Sequence, residues 1–534
     1  MKLTVATKRT KDRWRTHMTT KSIDHNLHTP AATLNPRPTA TAGTSASARV
    51  AGVLFSLLLG TATSSWSADV PVGRSTTTQL QRIVDKAAAE SGAVGGQVSV
   101  IFGSQRADFV FGSANLELNI PMTSDTVIQI GSTTKVFNAA LVMTFVEQHR
   151  LDLDVPIVQY MPRFHVADAT ARAAITLRQL LSMSSGLDNG PYTQFWNGDE
   201  ALASYVDSLR TLPQIFAPGK GYGYSNAGTS IAGRIVEIIT GDTWDAALRA
   251  RILDPAGLSH TVTLAEDLPF QRVSVGHLPG KDGHRPTVVR PWYLTRAQGP
   301  AGSTLAASAH DVAEFGALFV NDGVARNGHR VISHESIAAM MTPTAPSPGG
   351  DFVAWGIGPS LMRWGSTDVW WHPGGNQSGV SMLYWIPEQR AVLALVINTP
   401  AAAAKFFKAM SGSFAQAVFG IRASEGAPPN VPMAVPNPQR FVGSYVHTGA
   451  RYEVSQSGSM LHFRMTMRYE GAVEDKPPAV ASEGDLIALG ADRFLLALPA
   501  GGYESVSFFG STEDGRAENL IAPYFGARRV PLNR

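Results

Sequence analysis

Residues 127–148, VIQIGSTTKVFNAALVMTFVEQ, decide the fold of this chain. The first four residues have the apolar character of a strand, and residues 136–148 have that of a helix. This pattern places Ser132 at a helix N-terminus, where free backbone N–H groups and the helix dipole favour negative charge. Lys135 follows three positions later, so we expect its side chain to lie on the same helix face and reach the Ser132 hydroxyl.

A serine hydroxyl needs a base to become a nucleophile, and a neutral lysine amine can serve. The pKa of Lys135, about 10.4 in water, must then fall by roughly three through burial or a nearby positive charge. A capping serine followed by a surface lysine is the common alternative explanation of this spacing. Of the eleven lysines in the sequence, however, only Lys135 has a serine three positions before it.

A glycine-rich loop, PGKGYGYSNAG at residues 218–228, precedes an apolar helix predicted over residues 231–239. A phosphate-binding loop is excluded because no Gly-Lys-Ser/Thr or G-x-G-x-x-G sequence follows a strand here. Of twelve tyrosines, only Tyr224 is followed two residues later by an asparagine, Asn226. An ordinary turn has a similar composition, but a phenol and an amide in one loop can also relay a proton and hold a substrate carbonyl.

A third motif of the form Lys/His-x-Gly occurs in three places: Lys281-Asp282-Gly283, His372-Pro373-Gly374 and His447-Thr448-Gly449. We favour His372, because an apolar segment precedes it and two predicted strands, residues 380–386 and 391–397, follow it. Lys281 lies in a polar loop with no strand after it. His447 lies in the C-terminal region, where we expect an ordinary surface residue.

In this order, the three motifs resemble those of the serine β-lactamase and penicillin-binding-protein superfamily. The resemblance is strongest to its class C-like branch of D,D-peptidases, D-aminopeptidases and lactamase-fold esterases. It covers residues 76–420 and includes framing segments at residues 151–154, 160–162, 175–181, 185–187, 300–302 and 308–311. It implies an α/β (α+β) domain with a central antiparallel sheet flanked by helices.

The resemblance also implies roles for individual residues and an acyl-enzyme mechanism. The catalytic residues that it implies are Ser132, Lys135 and Tyr224. The substrate-binding residues that it implies are Asn226, His372, Gly374 and Gly375. The backbone N–H groups of Ser132 and Gly375 would form the oxyanion hole.

Two departures from the family pattern narrow the predicted substrate. Pro373 offers neither a hydroxyl nor an N–H group, and His372 carries a positive charge less reliably than lysine at neutral pH. Anchoring of a substrate carboxylate is therefore weakened, which disfavours β-lactamase and D-Ala-D-Ala carboxypeptidase activity. We predict a peptidase or amidohydrolase for short, non-standard peptides, including D-residue-containing or linearised cyclic ones. The alternatives are a carboxylesterase with the same residues and an inactive peptidoglycan-binding protein.

The chain is predicted to comprise four regions: a signal or leader segment at 1–68, a hydrolase domain at 69–424, a proline-rich linker at 425–438 and a lipocalin-like all-β domain at 439–534. The leader contains an apolar run at residues 50–60, too short for a membrane span, which needs about 20 residues. It ends in small residues, as secretory signal peptides do. We expect cleavage near Ala68, a periplasmic or secreted protein, and no transmembrane span afterwards.

Charge and composition disfavour nucleic-acid binding, cysteine chemistry and metal binding. The net charge of +3 resides in the leader, whose nine basic and two acidic residues leave 36 basic and 40 acidic residues elsewhere. We therefore expect no nucleic-acid partner. The absence of cysteine excludes disulfides and a thiolate nucleophile. No histidine spacing is convincing for a metal, so we expect no metal or cofactor, and a small peptide or ester as the substrate.

Overall fold

The computed structural model of the protein describes residues 71–191, 197–280, 285–292, 295–349, 352–423, 435, 437–468, 480–498, 503–522 and 524–531. The predicted leader with its cleavage site, most of the predicted linker and the alternative Lys281 motif lie outside the described residues. Within those residues, no helix is both long and apolar enough to cross a bilayer.

Nine antiparallel strands form the central sheet. In spatial order they are Ala345–Gly349, Phe352–Trp355, Ser360–Trp364, Thr367–Gly375, Val380–Ile386, Ala391–Ile397, Gly95–Phe102, Gln105–Asn115 and Ile120–Pro121. The strand Ala391–Ile397 is apolar throughout because both faces of the sheet are covered there. Val392 contributes to one core and Leu393 to the other, as the two-residue period of a strand requires.

Helices cover both faces of this sheet. The core on one face includes residues of Thr134–Val146, Asn226–Thr240 and Ala309–Ala317. The core on the other includes residues of Thr77–Ser91, Ala403–Ala409 and Ala415–Phe419. The shorter helices are Ala169–Ala174, Leu177–Leu181, Ala201–Ser208, Trp244–Leu248, Asp254–Ala256 and His334–Met340. A small sheet of three strands, Ile128–Gln129, Ala306–Ala307 and Thr261–Val262, lies outside the central one.

A closed barrel of eight antiparallel strands forms the C-terminal region, and its last strand pairs with its first. The strands are Gly443–His447, Ala450–Ser457, Met460–Met467, Val480–Ala488, Arg493–Ala497, Tyr503–Phe509, Asn519–Ala522 and Phe525–Val530. Closure leaves no free sheet edge. The predicted fold class, an α/β domain with a central antiparallel sheet plus an all-β C-terminal domain, is confirmed.

One expectation about the barrel is wrong. His447, predicted to be a surface residue, is 4% exposed. It has the same parity along its strand as the buried Tyr445, so its side chain faces the barrel interior. There its Nε2 lies 3.1 Å from the Tyr452 hydroxyl. Burial lowers the pKa of His447 to about 4.

Candidate active site

Ser132 and Lys135 lie where the short strand Ile128–Gln129 passes into a helix. A 3₁₀ turn, Gly131–Thr133, carries Ser132, and the helix Thr134–Val146 begins immediately after it. The Lys135 amine lies 3.0 Å from Ser132 Oγ. It also donates a hydrogen bond of 2.6 Å to the backbone carbonyl of Ala301. The three-residue spacing thus brings the amine to the hydroxyl, and Ala301 fixes its direction.

The surroundings of Lys135 favour a neutral amine. The residue is 1% exposed, and the described residues form no ion pair with it. Burial holds the pKa of Lys135 well below its ordinary value, because the charged form loses its hydration without gaining a counter-ion. A neutral amine that donates one hydrogen bond to Ala301 keeps its lone pair available for the Ser132 hydroxyl proton.

Tyr224 and Asn226 stand at the start of the helix Asn226–Thr240. Ser225 caps this helix, and its hydroxyl accepts a hydrogen bond of 2.9 Å from the Gly228 N–H. The helix therefore begins five residues earlier than the apolar pattern predicts. Tyr224 is 9% exposed, and its ring centre lies 4.8 Å from the Lys135 amine. The loop thus carries Tyr224 to the Ser132–Lys135 pair.

His372 lies on the strand Thr367–Gly375 and is fully buried. Burial lowers the pKa of His372 to about 3. Its Nδ1 lies 2.6 Å from the Pro373 carbonyl, which can only accept, so the Nδ1 carries the hydrogen. The Nε2 atom has no partner among the described residues. His372 is thus a neutral imidazole at physiological pH.

Glycines bring the Ser132 turn and the His372 strand into backbone contact. Gly131 has a φ of +55°, and a β-carbon on it would lie 2.3 Å from Gly375 N. A β-carbon on Gly374 would lie 1.9 Å from the Ile130 carbonyl oxygen. The contact brings Gly375 N next to Gly131, the residue that precedes Ser132 in the turn.

Two hydroxyls that the sequence analysis did not single out fix this contact. Thr133 Oγ1 donates a hydrogen bond of 3.2 Å to the His372 carbonyl and lies 2.8 Å from Ser381 Oγ. Ser381 donates a hydrogen bond of 2.6 Å to the Ile130 carbonyl. No spacing signal links Thr133 with Ser381, because 248 residues separate them.

The segment 300–302, quoted only as a framing segment in the sequence analysis, supports the same turn. Ala301 contributes the carbonyl that accepts from Lys135. Gly302, at a φ of +111°, approaches so closely that a β-carbon would lie 2.2 Å from the Gly131 carbonyl oxygen. Only glycine fits at that position without displacing the Ser132 turn.

The barrel also reaches this site, which the sequence analysis did not predict. The Tyr224 N–H donates a hydrogen bond of 3.0 Å to the Tyr524 carbonyl. The Phe525 ring packs edge-on against Tyr224, with 5.7 Å between ring centres. Trp355 packs against Tyr224 and His372 from the other domain, at 5.8 and 5.5 Å. Aromatic groups from both domains therefore surround the Tyr224 ring.

The described residues contain no group of three histidine or carboxylate side chains arranged to hold a metal ion. The chemistry that the site offers is that of a serine hydroxyl 3.0 Å from a buried amine, with the Tyr224 ring beside the same amine.

Comparison with known proteins points to one family. The Beta-lactamase family model matches residues 80–410. Penicillin-binding protein 4 of Amycolatopsis lactamdurans is 35% identical over 62% of this chain and 87% of its own length. Esterase EstB of Burkholderia gladioli is 29% identical over 34% of this chain and 50% of its own length.

Solved structures agree with this match. SurE superposes with a TM-score of 0.69 over 85% of this chain and 98% of its own, at 23% identity, a similarity of fold. The D-amino acid amidase of Ochrobactrum anthropi SV3 superposes with a TM-score of 0.53 at 26% identity, over 63% of this chain and 99% of its own.

Proposed function

The chain belongs to the β-lactamase family of serine hydrolases, and on that premise we propose that Ser132 forms an acyl-enzyme with short, non-standard peptides or amides. The observation that carries this proposal is the 3.0 Å separation between the Lys135 amine and Ser132 Oγ. The buried position of the amine lowers its pKa and so favours the neutral form, which can act as a base.

The proposed reaction has two stages. Lys135 takes the proton of Ser132, and Oγ forms a bond to the substrate carbonyl carbon. The resulting oxyanion accepts hydrogen bonds from the N–H groups of Ser132 and Gly375. The C–N bond then breaks, and Tyr224 passes the proton on to the departing amine while Asn226 holds the substrate amide. Water hydrolyses the acyl-enzyme, which regenerates Ser132 and releases the acid.

The charge of the site supports a substrate without a carboxylate next to the scissile bond. His372 is neutral, because its pKa is about 3, and Pro373 offers no hydroxyl. Burial also favours the neutral form of the Lys135 amine, which is engaged with Ser132 and Ala301. This favours peptides or amides that have no carboxylate next to the scissile bond, including D-residue-containing or linearised cyclic peptides. β-Lactams and D-Ala-D-Ala peptides, which have one, are disfavoured. The resemblance to a D-amino acid amidase supports the same choice.

A carboxylesterase with the same residues is the second candidate. The observation that favours it is the similarity to Esterase EstB, together with the neutral, aromatic surroundings of Tyr224. Esters react at such a site without protonation of the leaving group when that group is a good one.

Turnover of matched substrates tests the choice between the two candidates. Wild type and Ser132→Ala are compared on a p-nitroanilide and a p-nitrophenyl ester of the same acyl group. Turnover of both by wild type, and of neither by Ser132→Ala, is the expected result. Fast ester turnover without amide turnover would favour the esterase. Absence of both, with no labelling of Ser132 by a fluorophosphonate, would favour a peptide-binding protein.

Export is part of the proposal. The basic leader, its short apolar run and the small residues before Ala68 support removal of residues 1–68 and a periplasmic or secreted enzyme. N-terminal sequencing of the protein recovered outside the cytoplasm tests it. We expect a start close to residue 69, and an exported protein that still carries the leader would contradict cleavage.

A further inference from the structure

Asp188 connects the barrel to the loop that carries Tyr224 and Asn226. The residue is 2% exposed. Its carboxylate accepts the backbone N–H of Thr448 at 2.9 Å to one oxygen and 3.2 Å to the other. Thr448 lies in the turn between the barrel strands Gly443–His447 and Ala450–Ser457. The described residues form no ion pair with Asp188, and its hydrogen-bond partners are the Thr448 side chain and the backbone N–H groups of Thr448, Asn189 and Gly190.

The same segment holds the start of the helix Asn226–Thr240. The Asp188 carbonyl accepts a hydrogen bond of 2.9 Å from the Ser225 hydroxyl. Asn189 accepts hydrogen bonds of 3.0 Å from two successive backbone N–H groups, that of Asn226 to its side chain and that of Ala227 to its carbonyl. Residues 225–227 are therefore held by Asp188, which the barrel turn contacts, and by its neighbour Asn189.

The barrel holds Tyr224 from the opposite direction, through the hydrogen bond from the Tyr224 N–H to the Tyr524 carbonyl. Two separate barrel turns thus contact one short loop: one directly, the other through Asp188. We propose that Asp188 is a positioning residue, by which docking of the barrel fixes the places of Tyr224 and Asn226 at the acylation site. This inference rests on the proposed function of those two residues.

A role in positioning predicts a different result from a role in stability alone. Burial raises the pKa of Asp188, so its ionised form is disfavoured in the folded protein. An uncharged amide of the same shape removes the desolvation penalty of the carboxylate. It would, however, turn an N–H₂ group towards the backbone donors that the carboxylate accepts, and so shift the loop. Small displacements of positioning groups can reduce turnover by about a hundredfold.

The test compares Asp188→Asn with Asp311→Asn in the full-length enzyme. Asp311 is also 2% exposed, and burial raises its pKa too. It accepts the backbone N–H of His260 at 2.7 Å and the Thr261 hydroxyl at 2.9 Å. The described contacts of Asp311 do not include the Tyr224 loop, so this variant controls for the loss of a buried carboxylate.

Thr448→Pro tests the same link from the barrel side, because proline lacks both the N–H group and the side-chain donor that Asp188 accepts from Thr448. Neither turn residue, Thr448 or Gly449, has a positive φ, and the described backbone uses the Thr448 N–H only for Asp188. Proline is favoured at the first central position of a type I turn, so it should fit there. If Asp188→Asn fails to fold, this variant still decides the question.

Three quantities are measured: the melting temperature, the kcat/KM for a p-nitroanilide, and the rate at which a fluorophosphonate labels Ser132. Labelling needs Ser132 and its base but no protonation of a leaving amine. For Asp188→Asn and Thr448→Pro we expect kcat/KM to fall by roughly tenfold or more, while the labelling rate stays within about twofold of wild type. Asp311→Asn should leave the ratio of the two rates unchanged.

A ratio of kcat/KM to labelling rate that is unchanged in both Asp188→Asn and Thr448→Pro would overturn the inference. So would an equal fall in the ratio for Asp311→Asn. If wild type itself is not labelled at Ser132, the proposed function fails instead, and the two failures are distinguishable.

Discussion

Gly131 and Gly375 are in backbone contact, so close that a β-carbon on Gly131 would lie 2.3 Å from Gly375 N. This contact joins the turn that carries Ser132 to the strand that carries His372. The two N–H groups proposed to stabilise the oxyanion belong to Gly375 and to Ser132, which follows Gly131.

Substitution of alanine for Gly131 should push the two segments apart. We expect kcat to fall by about 10²–10³, the loss typical of one oxyanion donor, and the melting temperature to fall as well. Gly103→Ala is the matched control, because Gly103 has a φ of +60° but no atom within 4 Å of the added carbon. Similar kcat losses in both variants would mean that backbone strain, and not the contact with Gly375, is responsible.

Lys135 should control the acid limb of the pH–activity profile. Its pKa is lowered by burial, so the amine is neutral and able to accept a proton above that pKa, and protonated and inactive below it. The kcat/KM should therefore rise with pH through the lowered pKa and level off well below the ordinary lysine value of about 10.4. Lys135→Met should reduce kcat by about 10²–10⁴ and abolish this limb. Activity that rises only above pH 10 would contradict a neutral Lys135.

Tyr224→Phe should separate amide from ester substrates. The phenol is proposed to pass a proton to the leaving group, which an amine requires and p-nitrophenolate does not. We expect kcat for the p-nitroanilide to fall by about 10²–10⁴, and that for the p-nitrophenyl ester by much less. Equal losses on the two substrates would instead assign Tyr224 a role in the first proton transfer, from Ser132.

The two buried histidines should make the fold sensitive to acid. The pKa values of His372 and His447, about 3 and about 4, lie below the unfolded value of about 6.5. The unfolded chain therefore binds protons first, and stability falls as the pH drops below 6.5. At pH 5 each histidine should cost on the order of 2 kcal/mol.

Denaturant unfolding of wild type and His447→Gln at pH 7 and pH 5 measures the effect. The difference in unfolding free energy between the two pH values should be smaller in the variant. An identical difference would show that His447 is not buried in its neutral form.

Local pattern was enough to predict much of the fold. Two largely apolar runs, at residues 380–386 and 391–397, with a Pro-Glu turn between them, predicted two strands with the observed bounds. The change from strand-like to helical periodicity at residue 131 placed Ser132 and Lys135 as the structure has them. These features depend on neighbours in sequence, which is why the sequence reveals them.

The remaining features depend on contacts between distant segments. Ala301 supplies only a backbone carbonyl to Lys135, and any residue at that position has one. Thr133 meets Ser381 through the sheet, and Tyr524 meets Tyr224 through docking of the barrel. The prediction for His447 is wrong because the sequence indicates a C-terminal β region but not which of its side chains face the barrel interior. No single-sequence pattern encodes these contacts.

The central claim is that Ser132 carries the acyl group. Intact-protein mass spectrometry of the enzyme, incubated with a library of short peptides and their amides and quenched in acid, tests it most directly. We expect a mass increment on wild type, located on Ser132 by peptide mapping and absent from Ser132→Ala. An increment that persists in Ser132→Ala, or substrate turnover that persists in that variant, would contradict the claim.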